Sequence, residues 1–299
     1  MAGPIKNVVV VGASGNLGKE VARELVNAGF KVTAFTREDS TATFPSNIIS
    51  KKVNYQSVES LTSALEGQDA VVSTIASVAI GGQTPLVDAA IAAKVQRFIP
   101  SEFGINTREV GGTAVAKILQ GKVDTLDYII GKSKENSWFT WTGISTGIFF
   151  DWGLRLGVTG FNKDTKTATI YDSGNEPVQA SNLPFIGRAV AATLAQPEKT
   201  ANQYFSIASF NPSQNQILEI VEAETGEKWK VAHADTAEEE KIGVEKLSKG
   251  DYSAFANLLR RHVYKDGANR AAKGDNSANG LLGLQEEDLA ATVKEWLRS

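Results

Sequence analysis

The chain has no cysteine and only two histidines, His233 and His262, in 299 residues. Without cysteine it has no disulfide framework, no thiolate metal site and no cysteine nucleophile. Two histidines are too few for a multi-histidine centre, and a Ser-His-Asp triad would have to use one of them, so no metal is expected. No segment approaches the ~20 consecutive apolar residues of a membrane-spanning helix. Basic residues are not in excess either: the formal net charge is −3, which disfavours nucleic acid or an anionic membrane as partner. The first strand begins too close to the N-terminus to leave room for a signal peptide. These absences lead to the expectation of a soluble, cytoplasmic globular protein whose partner is a small molecule.

What is present is concentrated near the start. Val8-Val9-Val10-Val11 is too apolar and too β-branched for a one-sided strand, so it is expected to be covered on both faces. It runs into Gly12-Ala13-Ser14-Gly15-Asn16-Leu17-Gly18 and then a helical stretch. Gly12 permits the tight turn, Gly15 lets backbone approach a pyrophosphate, and Gly18 lets the helix pack close to the sheet, with the helix N-terminus facing the phosphates. The spacing is G-x-x-G-x-x-G rather than G-x-G-x-x-G, yet its place directly after an apolar strand points to a dinucleotide. At the end of the second strand an acidic residue would hold the ribose hydroxyl of NAD. Thr36-Arg37 stands there instead, and a guanidinium suits a 2′-phosphate. Glu38 and Asp39 follow and could pair with Arg37 instead.

Strand-like and helix-like segments alternate through the first half. They predict helices at 16–28, 57–66, 83–93 and 114–135, with strands between them near 31–36, 48–53, 70–74, 97–100 and 138–144. That is an α/β, doubly wound parallel sheet, a Rossmann fold. After about residue 147 the rhythm breaks, and a smaller C-terminal substrate lobe is expected. The division is 1–150 for the dinucleotide-binding domain and 151–299 for an interwoven second lobe. There, 166–172 and 176–179 read as strands. Asn182 reads as an N-cap, Ser213 with Gln216 as a capping box, and Lys265 to Asn279 as a mobile loop.

One lysine stands out by phase. In the helix 114–135, at 100° per residue, Lys122 falls within about 60° of Val115, Ile118, Leu119, Leu126 and Ile129, whereas Lys117 points away. A lysine on an apolar face snorkels, pairs or sits desolvated beside a ligand. In the last case it is suited to protonate or hydrogen-bond a developing oxyanion. Tyr128 and Lys132 have the Y-x-x-x-K spacing of short-chain dehydrogenases. However, Lys132 lies ~15 Å further along the helix, at 1.5 Å per residue, from the end that meets a cofactor, so a surface pair is expected. Phe103, Phe149, Phe150 and Trp152 are candidates for an aromatic pocket, with core packing as the alternative for each. His262 is expected in the core or at the surface rather than in the cleft.

The glycine turn, Thr36-Arg37-Glu38, Ser73-Thr74-Ile75 and above all Ile99-Pro100-Ser101-Glu102-Phe103-Gly104 resemble the isoflavone reductase-like proteins of the NmrA-like group, atypical short-chain dehydrogenases/reductases. The chain looks closer to fungal or bacterial members than to plant ones. The resemblance covers roughly residues 5–150. It implies that a lysine on the helix after the P-S-E-F-G motif takes part in reduction, and counting from the motif that residue is Lys122. It further implies NADPH contacts at Gly12, Ser14, Gly15, Asn16, Leu17, Gly18, Arg37, Thr74 and Ile75. Three features depart from the plant pattern. Ser14-Gly15-Asn16-Leu17-Gly18 replaces the usual Thr-Gly-Tyr-Ile-Gly, no Lys or Arg lies between Ser40 and Asn47, and the arginines that usually follow the lysine are absent.

The expected activity is therefore NADPH-dependent reduction, in secondary metabolism, of a conjugated C=C, a C=O or a benzylic carbon of an aromatic or phenolic molecule. Two alternatives stay open. One is a dinucleotide-binding redox sensor acting on a protein partner without turnover, and the other is a non-redox isomerase on the same fold.

Overall fold

The computed structural model describes residues 3–76 and 83–299. Its centre is β1 (Asn7–Val11), whose four valines are buried on alternating sides. Val8 and Val10 face one layer of helices, α1 (Asn16–Asn27) and α6 (Leu183–Ala195), meeting Val21, Leu25 and Phe185. Val9 and Val11 face the other layer, α2 (Val58–Leu65), α3 (Thr84–Ala92) and α4 (Ala116–Glu135), meeting Leu61, Leu86 and Leu126. A strand with both faces covered needs no polar alternation, which is why this one reads as an unbroken apolar run.

From β1 the chain builds outward in one direction through β2 (Lys31–Arg37) and β3 (Ile48–Val53). It then returns to β1's other edge with β4 (Ala70–Ser73) and continues through β5 (Arg97–Ile99) and β6 (Thr140–Ser145). Every pair is parallel, and the seven-strand order is β11-β6-β5-β4-β1-β2-β3, where β11 is Gln203–Ser206. The direction of building reverses between β1 and β4. That opens a crevice beyond the carboxyl ends of these strands, the place where doubly wound sheets receive ligands. The doubly wound parallel sheet read from the sequence is the fold observed.

Past residue 150 the chain returns to this first layer twice, with α6 packed on α1 and β11 hydrogen-bonded along β6. Buried Arg97 locks that return in place. Its guanidinium donates to the hydroxyls of Thr140, Thr142 and Thr200 at 2.9–3.0 Å and to the carbonyl of Pro197.

The remaining elements form the second lobe: β7 (Ile148–Phe149), α5 (Phe150–Arg155), β8 (Phe161–Asn162), β9 (Thr167–Tyr171), β10 (Ala180–Ser181), α7 (Gln214–Thr225), β12 (Lys230–Ala234), α8 (Thr236–Ser248), α9 (Ala254–Tyr264), α10 (Asn279–Leu282) and α11 (Leu289–Arg298). A three-stranded sheet of order β12-β9-β8 and an aromatic core of Phe150, Phe161, Trp229 and Trp296 organise it.

Local expectations fared unevenly here. The Ser213–Gln216 capping box forms in full. Asn182 stands at the N-cap of α6 but does not cap it; its amide donates to Glu287 and Thr292, and Asp151 accepts the free N–H of Leu183 instead. Only Ala180–Ser181 is strand near 176–179, because the backbone before it bonds elsewhere: Val178 donates to the carbonyl of Pro212. The stretch from Lys265 to Asn279, read as a mobile loop, is tied at several points. Glu176 accepts the N–H groups of Gly267 and Asn269, Asn211 exchanges two hydrogen bonds with Ala272, and Ala278 donates to the carbonyl of Ser206.

Candidate active site

The glycine turn sits where β1 meets α1. Gly12 has φ +81°, and a Cβ there would press on the carbonyl and hydroxyl oxygens of Thr74 at 3.0 Å, so the turn lies directly against the end of β4. Gly18 is buried, and a Cβ on it would come within 2.1 Å of the carbonyl oxygen of Gly12. That contact is with the turn itself, so Gly18 lets the first turn of α1 close back over Gly12 and Ala13. Ser14, Gly15 and Asn16 are exposed above it. No side chain caps α1, whose N-cap is Gly15, so its first N–H groups and the positive end of its dipole face outward, a fit for a pyrophosphate. Leu17 is buried and packs into the core with Val21, leaving its backbone as the part of it that could meet a ligand.

Thr74 and Ile75 flank the turn half-buried. The Thr74 hydroxyl is engaged with the carbonyl of Val11 at 2.8 Å, and the Ile75 carbonyl accepts from Ser101 at 2.7 Å. Arg37, at the end of β2, is 78% exposed and meets Asp39 at 3.6 Å, itself 81% exposed. An exposed pair at that distance contributes at most about 1 kcal/mol, so the guanidinium is readily available to a phosphate.

After β5, the segment Ser101-Glu102-Phe103-Gly104 joins several parts. The carbonyl of Gly104, at φ +146°, accepts from Ser145, Thr146 and Gly147 and thereby draws the ends of β5 and β6 together. Lys122 comes from α4 and is 7% exposed. Its Nζ donates to the carbonyl of Phe103 at 3.3 Å. Burial pulls its proton affinity down, and the nearby Glu102 carboxylate opposes that. Glu102 is likewise buried and its carboxyl is pushed above the usual range by desolvation. Lys122, together with hydrogen bonds from Thr107 and from Tyr204 at 3.0 Å, works against the rise.

Lys122 opens onto a cavity of about 440 Å³, a size suited to a small organic ligand. Asn16 of the glycine turn lines the same cavity, so the two sites are continuous. Phe103, Phe149 and Trp152 line it as well, the last two edge to face at 6.5 Å. Phe150 is a correction. It is fully buried and turned the other way, its ring 4.8 Å from that of Phe210 in the second-lobe core. Phe149 ends the extended β7 and Phe150 begins α5, so the two side chains leave the chain in different directions.

The far wall was not read from the sequence. It comes from α9, through Phe255, Leu259, Arg260 and Tyr264, with Thr159 beside them. Phe255, Leu259 and Val263 recur at helical spacing and could have been seen as a stripe, but periodicity does not say what a stripe faces. Arg260 is paired with Glu239 at 3.2 Å.

His262 lines a second cavity of about 470 Å³, with a mixed polar and apolar lining, bounded by the 265–279 segment. It is buried, burial lowers its pKa to about 4, and its Nδ1 has no hydrogen-bond partner among the described residues. Tyr128 donates to Asp88 at 2.5 Å and Lys132 pairs with Glu135 at 2.9 Å, the surface arrangement expected of them.

Comparison with known proteins places the chain in a family. The model of the NmrA-like family matches residues 4–252. Oxidoreductase aprR of Aspergillus flavus is 36% identical over 97% of this chain and 98% of its own length. Oxidoreductase poxI of Penicillium oxalicum is 32% identical over 96% and 92% respectively. The maize (Zea mays) isoflavone reductase homolog IRL is 28% identical over 77% of this chain and 78% of its own. Among solved structures, that of AtPrR2 with NADP+ and (+)-pinoresinol superposes with a TM-score of 0.81 over 98% of this chain and 99% of its own, at 20% identity. Leucoanthocyanidin reductase of Vitis vinifera gives 0.80 at 18% identity over 98% and 100%. These last two likenesses speak to the fold. Among the described residues no helix is long and apolar enough to cross a membrane. The chain belongs to the NmrA-like family and is an oxidoreductase related to the isoflavone reductases.

Proposed function

We propose that the protein is an NADPH-dependent reductase that delivers hydride to a conjugated C=C, a C=O or a benzylic carbon of an aromatic or phenolic molecule. One observation carries this reading: the buried Lys122 and Asn16 of the glycine turn line one apolar cavity together with Phe103, Phe149 and Trp152. When bound, NADPH supplies the hydride. The solved relatives with NADP+ and pinoresinol, or named for leucoanthocyanidin, support both the cofactor and the aromatic class of substrate.

This chain's own residues do the rest. Ser14, Gly15 and the exposed start of α1 hold the pyrophosphate, and Arg37 holds the 2′-phosphate. The aromatic walls exclude water and orient a flat ring. Lys122 donates a proton or a hydrogen bond to the oxygen on which negative charge develops as hydride arrives. In a water-poor cavity such a charge-assisted hydrogen bond is far stronger than in water.

The test is fluorescence titration with NADPH, NADH, NADP+ and NAD+, for the wild type and Arg37→Ala. NADPH binding tighter than NADH, reduced by about tenfold in the variant, is expected of a charge-assisted phosphate–guanidinium contact. Equal binding of phosphorylated and unphosphorylated forms, indifferent to Arg37, would overturn the NADPH assignment and favour a sensor.

A further inference from the structure

We propose that Glu102 is a positioning residue for Lys122: its buried carboxylate, kept ionised by the hydroxyls of Thr107 and Tyr204, holds the lysine amine protonated where the Phe103 carbonyl anchors it at the cavity.

Glu102 is 1% exposed, and a lone carboxylate so placed would lose its hydration with nothing in return. It is not alone. Thr107 donates from five residues along the same loop, and Tyr204 donates at 3.0 Å from β11, on the sheet's last strand. Tyr204 also receives the backbone N–H of Thr107 at 3.2 Å, so the three residues form a closed set. Two hydroxyl donors favour the charged form of the acid.

The ammonium of Lys122 meets the carbonyl of Phe103, the next residue after Glu102, at 3.3 Å. The segment that carries the Glu102 carboxylate thus also anchors the ammonium, and the Cβ position of Gly104 lies at ordinary contact distance, 3.9 Å, from Nζ. Arg108, the other cation facing Glu102, is engaged with Asp127 at 2.8 Å. The Glu102 carboxylate is the charge that opposes the burial-driven fall in the proton affinity of Lys122. A cation buried in an apolar cavity tends to shed its proton, and the Glu102 carboxylate resists this. When Lys122 gives its proton to a substrate oxygen, Nζ becomes a neutral amine and Glu102 stays a carboxylate. Glu102 itself does not line the cavity.

The inference uses the proposed reductase reading for its consequence, but its test needs neither substrate nor NADPH. The reactivity of the Lys122 amine towards acetic anhydride, followed across pH by peptide mass spectrometry on the full chain, reads its titration directly. Burial places the wild-type midpoint below that of surface lysines. Glu102→Gln is expected to move it down further, by about one unit or more, a tenfold loss of protonated amine. Glu102→Asp should restore it in part. Tyr204→Phe, which removes one donor while keeping the ring, should shift it in the same direction by less. Should Glu102→Gln fail to fold by circular dichroism, Tyr204→Phe and Thr107→Val decide. A Lys122 midpoint unchanged or raised in the folded variants would overturn the proposal. The NADPH titration above fails or succeeds separately.

Discussion

The amine of Lys122 donates to the carbonyl of Phe103, nineteen residues earlier in the chain, at 3.3 Å. This bond fixes the end of a long, flexible side chain against the segment that also supplies Phe103 to the cavity wall. Lys122→Met keeps the apolar stem and removes the proton. A turnover assay on a reducible aromatic substrate is expected to show kcat lowered by about 10²–10⁴, the range of a lost general acid. NADPH affinity, read by fluorescence, should stay within a factor of about three. A variant that still turns over at the wild-type rate would remove Lys122 from the chemistry.

Phe149 and Phe150 are neighbours with opposite duties. Phe150→Ala empties a packed site against Phe210 and should cost about 3–5 kcal/mol in urea denaturation. Phe149→Ala sits at the cavity and should cost less stability while weakening binding of an aromatic ligand, measured by quenching of tryptophan fluorescence. The reverse pattern would exchange their roles.

Arg97 bridges β5, β6 and the segment after α6 through neutral acceptors. A planar guanidinium reaches several partners at once, and an ammonium does not. Arg97→Lys is therefore expected to destabilise the chain by about 2–4 kcal/mol by leaving buried hydroxyls and a carbonyl unpaired. Denaturation by urea measures it, and a loss below about 1 kcal/mol would show the bridge to be dispensable.

His262 titrates near 6.5 when unfolded and at about 4 when buried in the folded chain. Between those values the unfolded chain binds the proton and the folded chain does not, so stability falls as pH drops from 6.5 towards 4 and is fully present above 6.5. The shift corresponds to about 3 kcal/mol. Since carboxylates titrate in the same window, the measurement is the difference between wild type and His262→Leu across pH. The variant is expected to gain on the wild type as the solution is acidified. A constant difference would place the histidine's proton elsewhere.

The sequence by itself determined whatever rests on short-range pattern. Four valines dictate a doubly covered strand, the glycine spacing dictates a turn with an open helix start, and the 3.6-residue period puts Lys122 on the inward side of α4. Each depends on residues within a turn or two of one another, so no knowledge of the rest of the chain is needed.

What only the tertiary structure decided depends on residues distant in sequence. The short strand β11 carries no pattern of its own, yet it completes the sheet because β6 offers a free edge. The packing of helix α9 over the cavity follows from how the second lobe folds back. Tyr204 lies 102 residues from Glu102, and nothing local to either announces their hydrogen bond. The two aromatics after β6 sit side by side in the chain, one ending β7 and the other beginning α5, and packing alone sends one to the cavity and the other to the core. Pattern determines how an element is built; packing decides what it faces, because burial rewards the assembled surface rather than any one segment.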